Sequence, residues 1–158
     1  MPTLQEDYNT CLFHAATALG RSLTKLADEH FKPVGITPTM GFLLMTANTA
    51  PGILITDLAL VHQLDTSTVS RALDKLAFLD LIKREGQRKN VRIFITPKGA
   101  LKEADARGAW SKIREEYALI LSAPEARELA DRSARADGML RSAKPKRRVS
   151  ARKAHSSR

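Results

Sequence analysis

The sequence predicts a mainly α-helical fold with one small β hairpin, on three observations. Apolar residues recur at three- and four-residue steps over residues 4–31 and again over 98–121, the spacing of one helix face. Between them, two short helix-like segments flank a tight turn at Leu64-Asp65-Thr66. Two alternating runs, Leu81–Glu85 and Val91–Thr96, then read as strands joined by Gly86-Gln87-Arg88-Lys89-Asn90.

The first stripe is Leu4, Tyr8, Cys11, Leu12, Ala15, Leu19, Leu23, Leu26 and His30, one helix of about seven turns. Lys32-Pro33-Val34-Gly35 ends it, because proline disfavours helix in the residue before it and glycine accepts positive φ. Thr37-Pro38 opens a second helix: threonine caps and proline suits the first helical position. That helix is apolar on most sides (Met40, Phe42, Leu43, Leu44, Met45) and should be central. Ile53–Ile55 is a short edge strand, and Thr56 caps a helix to Leu64. The next helix spans about 67–79. Pro97 starts a long helix to about Leu121, and Ser122-Ala123-Pro124-Glu125 has capping-box spacing for another, ending near Gly138. From Arg141 the composition turns to Lys, Arg, Ser, Ala and Pro, which predicts disorder.

The chain has 158 residues, 43% of them hydrophobic, which is enough for one cored domain with an appendage. Its single cysteine excludes an intrachain disulfide framework. The N-terminus lacks a signal-peptide core, and no apolar run is long enough to span a bilayer. A cytoplasmic protein with no membrane partner is expected. The net charge of +9 is uneven. Residues 141–158 hold eight Lys/Arg and no acid, leaving 18 basic against 17 acidic groups elsewhere. Residues 67–98 carry eight basic and three acidic groups. Two basic regions on a balanced body point to a polyanion partner.

At 100° per residue, Val69, Ala72, Leu73, Leu76 and Leu79 gather on one side of the 67–79 helix. Ser67, Ser70, Arg71 and Asp74 gather on the other, with Thr68 and Lys75 at the flank. Helix, tight turn and helix make a helix-turn-helix, whose second helix enters the DNA major groove. Short hydroxyl side chains allow close approach, and an arginine such as Arg71 can grip guanine with two bonds. The basic hairpin supplies a wing, with Arg84, Arg88, Lys89 and Arg92 able to reach phosphates or a minor groove. The expected DNA contacts are therefore Thr66, Ser67, Thr68, Ser70, Arg71, Lys75, Arg84, Arg88, Lys89 and Arg92. Asp74, three residues beyond Arg71, is expected to hold that guanidinium. Phe78 lies on the polar side and is expected to pack beneath the wing.

The run from Thr56 to Gly99 resembles the winged helix-turn-helix of the MarR (multiple antibiotic resistance regulator) family. The likeness is carried by Leu64-Asp65-x-Ser67-x-Val69-Ser70-Arg71-x-x-Asp74-Lys75-Leu76, by Leu81-Ile82-x-Arg84, and by Ile95-Thr96-Pro97-Lys98-Gly99. The flanking helices extend it to about residues 5–140. The resemblance implies a homodimer in which the first and last helices interlock and two winged domains read a pseudo-palindromic operator in double-stranded DNA. On that basis residues 1–35 form an N-terminal dimerisation helix and 36–98 the winged helix-turn-helix. Residues 99–140 then form C-terminal dimerisation helices, and 141–158 a disordered basic tail. The wing turn is shorter than the family's and lacks its usual Asp-x-Arg tip, and the tail is not a family hallmark. Apolar surface on the first and long helices, more than one small winged domain covers, independently favours a dimer.

Cys11 in the first helix is expected to be a small buried apolar residue. The resemblance adds the alternative of redox sensing, which needs a thiolate. Trp110 is expected in core or dimer packing, with a crevice for a small aromatic or anionic effector as the alternative the resemblance implies. Phe13, Phe31 and Phe42 are further candidates for lining it. Asp28-Glu29-His30 reads as a solvated helix end. The histidines share no ligand spacing, so no metal is expected. The tail adds non-specific DNA affinity through counterion release; a solvated end, a compartment signal and an RNA contact are its alternatives. No phosphate loop, nucleophile elbow or productive His/Asp/Glu cluster is present, so neither an enzyme nor a cofactor is expected. The expected function is a sequence-specific DNA-binding repressor released by a ligand or oxidant. The competing reading is a winged-helix module for protein–protein assembly without DNA.

Overall fold

The break in the first helix falls at the chain's one cysteine. The computed structural model describes residue 8 and residues 10–87 and 90–143. Tyr8 and Thr10 are helical, but Cys11 is extended (φ −79°, ψ 113°), and helix α1 runs only over Leu12–Phe31. The single seven-turn helix expected over 4–31 is thus interrupted. Threonine and cysteine are both weak helix formers, and here they fall together. Cys11 is exposed, which corrects its expected burial.

A 3-10 turn, Lys32–Val34, follows α1 and closes on Gly35 at φ 77°. Helix α2 (Pro38–Thr49) starts as the sequence predicts, the Met40 N–H donating to the Thr37 hydroxyl at 3.3 Å. It is the central helix: Met40, Leu43, Leu44, Met45 and Ala47 are all buried. Gly41 belongs to that packing, because a methyl group there would strike the Phe31 ring.

Strand β1 (Ile53–Leu54) leads directly into helix α3 (Ile55–Val61). The cap position is Leu54, without a side-chain bond, and not Thr56. Helix α4 is Thr66–Phe78, β2 is Ile82–Glu85 and β3 is Arg92–Ile95. The three strands pair antiparallel in the order β1-β3-β2, with Ile53 opposite Ile93 and Arg84 opposite Ile93 from the other side. The expected edge strand is therefore real, and β3 is the middle strand.

Helix α5 spans Pro97–Leu121. Its buried positions are Gly99, Glu103, Ala106, Ala109 and Ile113. Leu101, by contrast, is 74% exposed. Small residues face inward because the approach is close: a methyl group at Gly99 would collide with the Leu81 carbonyl oxygen. Buried Glu103 is neutralised by Arg107 one turn on. His30 and Glu116 share a 2.6 Å hydrogen bond, so the Asp28-Glu29-His30 run is tied to α5 and is not simply a solvated end.

The residues through Glu116 form one compact unit and those from Tyr117 a second. The second holds the end of α5 and helix α6 (Ala123–Ala143). Ser122 begins α6 as its spacing predicts, accepting from the Glu125 N–H and donating to the Glu125 carboxylate at 2.8 Å. None of the residues of α6 is buried, and it continues past Gly138 to Ala143. Among the described residues no helix is long and apolar enough to cross a membrane. Residues 141–143, expected to begin the disordered tail, are helical, and the rest of that tail, 144–158, lies outside the described residues.

Candidate nucleic-acid interface

Helix α4 presents one face because the other is locked in the core. Val69, Leu73 and Leu76 are fully buried. On the opposite face Thr66, Ser67, Thr68, Arg71 and Lys75 are exposed and Ser70 is half-buried. The turn before it is tight: Gln63 adopts φ 54°, and the Leu64 N–H closes on the Ala59 carbonyl at 2.9 Å. The Asp65 carbonyl then accepts from both Thr68 and Val69, so the hydroxyl residues occupy the first turn of the helix. That is the end which reaches base edges in a helix-turn-helix.

The far end of α4 is fastened by a junction that the sequence pattern alone does not assign. Asp80 takes φ 58° and its N–H bonds Ala77, while Leu81 bonds back to Leu76, which together make a Schellman closure. The Thr96 hydroxyl donates to the Asp80 carbonyl (2.7 Å) and accepts from the Gly99 N–H (2.9 Å). Lys98 donates to the Leu79 carbonyl at 2.8 Å, placing a cation at the negative end of the helix dipole. Ile95-Thr96-Pro97-Lys98-Gly99 therefore joins the end of α4 to the start of α5. Only the run's likeness to a known pattern marked it in the sequence; its acceptors are backbone carbonyls, which leave no residue signature.

Two of the wing cations, Arg84 and Arg92, have partners within the chain. Arg84 ion-pairs with Asp74 at 2.8 Å and donates to the Ser70 carbonyl at 3.3 Å. Asp74 thus holds Arg84 and not Arg71, because β2 passes alongside the Ser70–Asp74 turn of the helix. Arg92 donates to the Gly52 carbonyl at 3.1 Å, at the β1 side of the sheet. Lys83 is exposed on the opposite face of β2 from Arg84. Arg88 and Lys89, the expected tip contacts, lie outside the described residues.

Phe78 does not pack beneath the wing. It is 90% exposed, on the same side of α4 as Ser67 and Arg71, and it walls an apolar cleft of about 680 Å³. Phe31, Ile36, Met40 and Leu79 form the rest of the apolar wall, with Lys32, Lys75 and the Asp74 carboxylate also lining it. Trp110 sits elsewhere, edge-on to Phe42 and 5.1 Å beneath the Arg114 guanidinium. Phe42 also faces His62, whose Nε2 lies 2.9 Å from the Thr46 hydroxyl. Burial holds the pKa of His62 below its ordinary value.

Residues 36–94 match the model of the MarR family. A comparison with curated protein sequences finds no match. Among solved structures, the transcriptional regulator SlyA superposes with a TM-score of 0.69 at 23% identity, covering 83% of this chain and 94% of its own. The repressor CouR, bound to p-coumaroyl-CoA, superposes at 0.74 with 18% identity, covering 85% and 96%. A Mycobacterium tuberculosis MarR-family protein in complex with salicylic acid superposes at 0.60 with 18% identity, covering 80% and 96%. The fold is that of these transcriptional regulators, and residues 36–94 carry the chain's likeness to the MarR family.

Proposed function

We propose that this chain is a dimeric, sequence-specific double-stranded DNA-binding transcriptional regulator, relieved from its operator by a small ligand. The observation that carries the reading is the exposed Thr66–Lys75 face of α4, held rigid from behind by Val69, Leu73 and Leu76. Arg71 is its free-standing cation for a guanine edge, with Thr66, Ser67, Thr68, Ser70 and Lys75 as neighbouring base or phosphate contacts. Arg88 and Lys89 would extend the contact from the wing. Such a protein works beside its DNA, in the cytoplasm. Exposed Leu12 and Phe13 on α1, and Met139 and Leu140 on α6, supply apolar faces for a second copy.

The apolar cleft beside Phe78 suits a flat aromatic acid: Phe31, Met40 and Phe78 would cover the ring, and Lys32 or Lys75 would meet the anion. Salicylic acid, the ligand of the Mycobacterium tuberculosis complex, has that chemistry, and the p-coumaroyl-CoA of CouR shares the aromatic ring while its carboxyl is a thioester. A ligand held there shifts DNA affinity only by favouring one arrangement of α4 over another.

Phe78 also favours a second reading, a protein–protein assembly module, since an exposed aromatic is a common binding anchor. Selection from random duplex DNA with the full chain, at physiological salt, separates the two. An enriched palindrome whose preference disappears with Arg71→Ala, while Phe78→Ala retains it, supports DNA reading. Uniform recovery of all sequences, lost once the tail after Ala143 is removed, sinks it. Arg71→Ala is expected to lower discrimination by about 1–3 kcal/mol at each half-site.

A further inference from the structure

Arg84 is a wing cation whose surroundings do not suit a phosphate contact. Its guanidinium forks around one turn of α4, one nitrogen on the Asp74 carboxylate at 2.8 Å and another on the Ser70 carbonyl at 3.3 Å. Only 30% of the side chain is exposed, against 64% for Asp74. Its backbone is fixed as well: Arg84 lies opposite Ile93, a fully buried residue of the central strand. The side chain therefore runs from a wing strand paired to that central strand to the middle of the helix that carries the hydroxyl and arginine face. Its charge is already met by a carboxylate, and two of its donors are already used.

We infer that Arg84 is a positioning residue: by gripping Ser70 and Asp74 together it fixes the angle between the wing and α4, and so sets which spacing of groove and backbone contacts the protein accepts. The inference rests on the DNA-binding reading and adds to it a determinant of specificity that touches no DNA. It also gives Asp74 a purpose. A carboxylate on a face that meets phosphates opposes binding electrostatically, yet here it is the anchor for the wing. A two-point grip requires the planar fork of arginine, since a lysine ammonium offers charge without that geometry.

A positioning role and a phosphate contact predict opposite behaviour. If Arg84 met a phosphate, Arg84→Lys would keep most of the affinity, and Arg84→Gln would reduce the slope of log K against log salt by about 0.9 for the one phosphate it neutralised. As a positioning residue, Arg84→Lys and Arg84→Gln both lose the preference for the selected operator over a scrambled duplex of equal length. The expected loss is tenfold or more, with the salt slope of the wild type retained. Asp74→Asn is the sharper variant. Removing a negative charge from a DNA-facing surface should tighten binding to every duplex. The inference expects the scrambled duplex to be held as well or better while the operator preference falls by the same tenfold or more.

The experiment is a salt titration of full-length wild type and these three variants on both duplexes, with melting curves to verify folding. Arg84→Lys behaving as wild type, a lowered slope for Arg84→Gln, or Asp74→Asn tightening both duplexes equally overturns the inference and leaves DNA reading intact. A wild type with no preference between the duplexes removes the reading itself, and the inference with it. The pair is at the surface, so the core does not depend on it; if Arg84→Gln melts early, Asp74→Asn still decides by the direction of its change.

Discussion

Helices α1 and α4 are equally two-faced in sequence, yet only one of them hides its apolar face within the chain. Val69, Leu73 and Leu76 of α4 are fully buried. Along α1 only Phe31, at its last position, is buried, while Leu12 is 70% and Phe13 80% exposed. The difference lies in what surrounds each helix. Helix α4 is enclosed by α2, α3 and the sheet, whereas among the described residues the start of α1 has no such cover. An amphipathic pattern records that a helix requires a partner; it does not record whether that partner is in the same chain.

Two truncations break the comparison open. Leu73→Ala leaves a cavity beneath the hydroxyl and arginine face of α4 and is expected to cost about 3 kcal/mol of folding stability, read by denaturant titration at any protein concentration. Leu12→Ala removes a similar side chain from an exposed site. It should leave the unfolding free energy extrapolated to low concentration, where the chain is monomeric, unchanged and weaken self-association, read by sedimentation equilibrium. Equal losses of folding stability in both, with association untouched, would mean that the two faces are not different in kind.

A smaller effect concerns the fastening of α4. Asp80 occupies the left-handed position of a Schellman closure, where a Cβ is strained by roughly 1–2 kcal/mol and glycine is not. Its carbonyl, which accepts from Thr96, is backbone and survives substitution. Asp80→Gly is therefore expected to raise stability by about 0.5–1 kcal/mol, after the greater freedom of glycine in the unfolded chain is subtracted. A lowered melting temperature would show that the Asp80 side chain itself contributes to the closure.

The sequence-level legibility of these regions follows the range of the interactions. The α4 face was legible because a 3.6-residue period sorts Val69, Leu73 and Leu76 from Ser67 and Arg71 without knowledge of the fold. The capping positions Thr37 and Ser122 were legible for the same reason, their acceptors and donors lying three residues away. What was not legible joins distant segments. Arg84 reaches back to Ser70 and Asp74, Thr96 to Asp80, and His30 to Glu116. Nothing in the identity of Asp74 says whether Arg71 or Arg84 will claim it. The inward face of α5 left little signal for a further reason: its close approach selects Gly99, Ala106 and Ala109, small residues that mark no stripe, and leaves Leu101 outside.

The smallest effect is confined to pH. The Thr46 hydroxyl donates to the Phe42 carbonyl at 3.0 Å, so its remaining role toward His62 is to accept. His62 therefore donates its Nε2–H to Thr46, beside the Phe42 ring. Burial disfavours the imidazolium, so the folded pKa lies below the ordinary 6.5. In the window below pH 6.5 the unfolded chain then binds more protons than the folded one, and stability falls as pH falls, levelling once the folded pKa is passed. Above about 6.5 the group contributes no slope. His62→Gln can still donate to Thr46 but does not titrate. It should flatten the stability profile below pH 6.5 relative to the wild type, measured by denaturant titration at each pH. Parallel profiles for the two proteins would assign the acid sensitivity to other groups and remove His62 from the account.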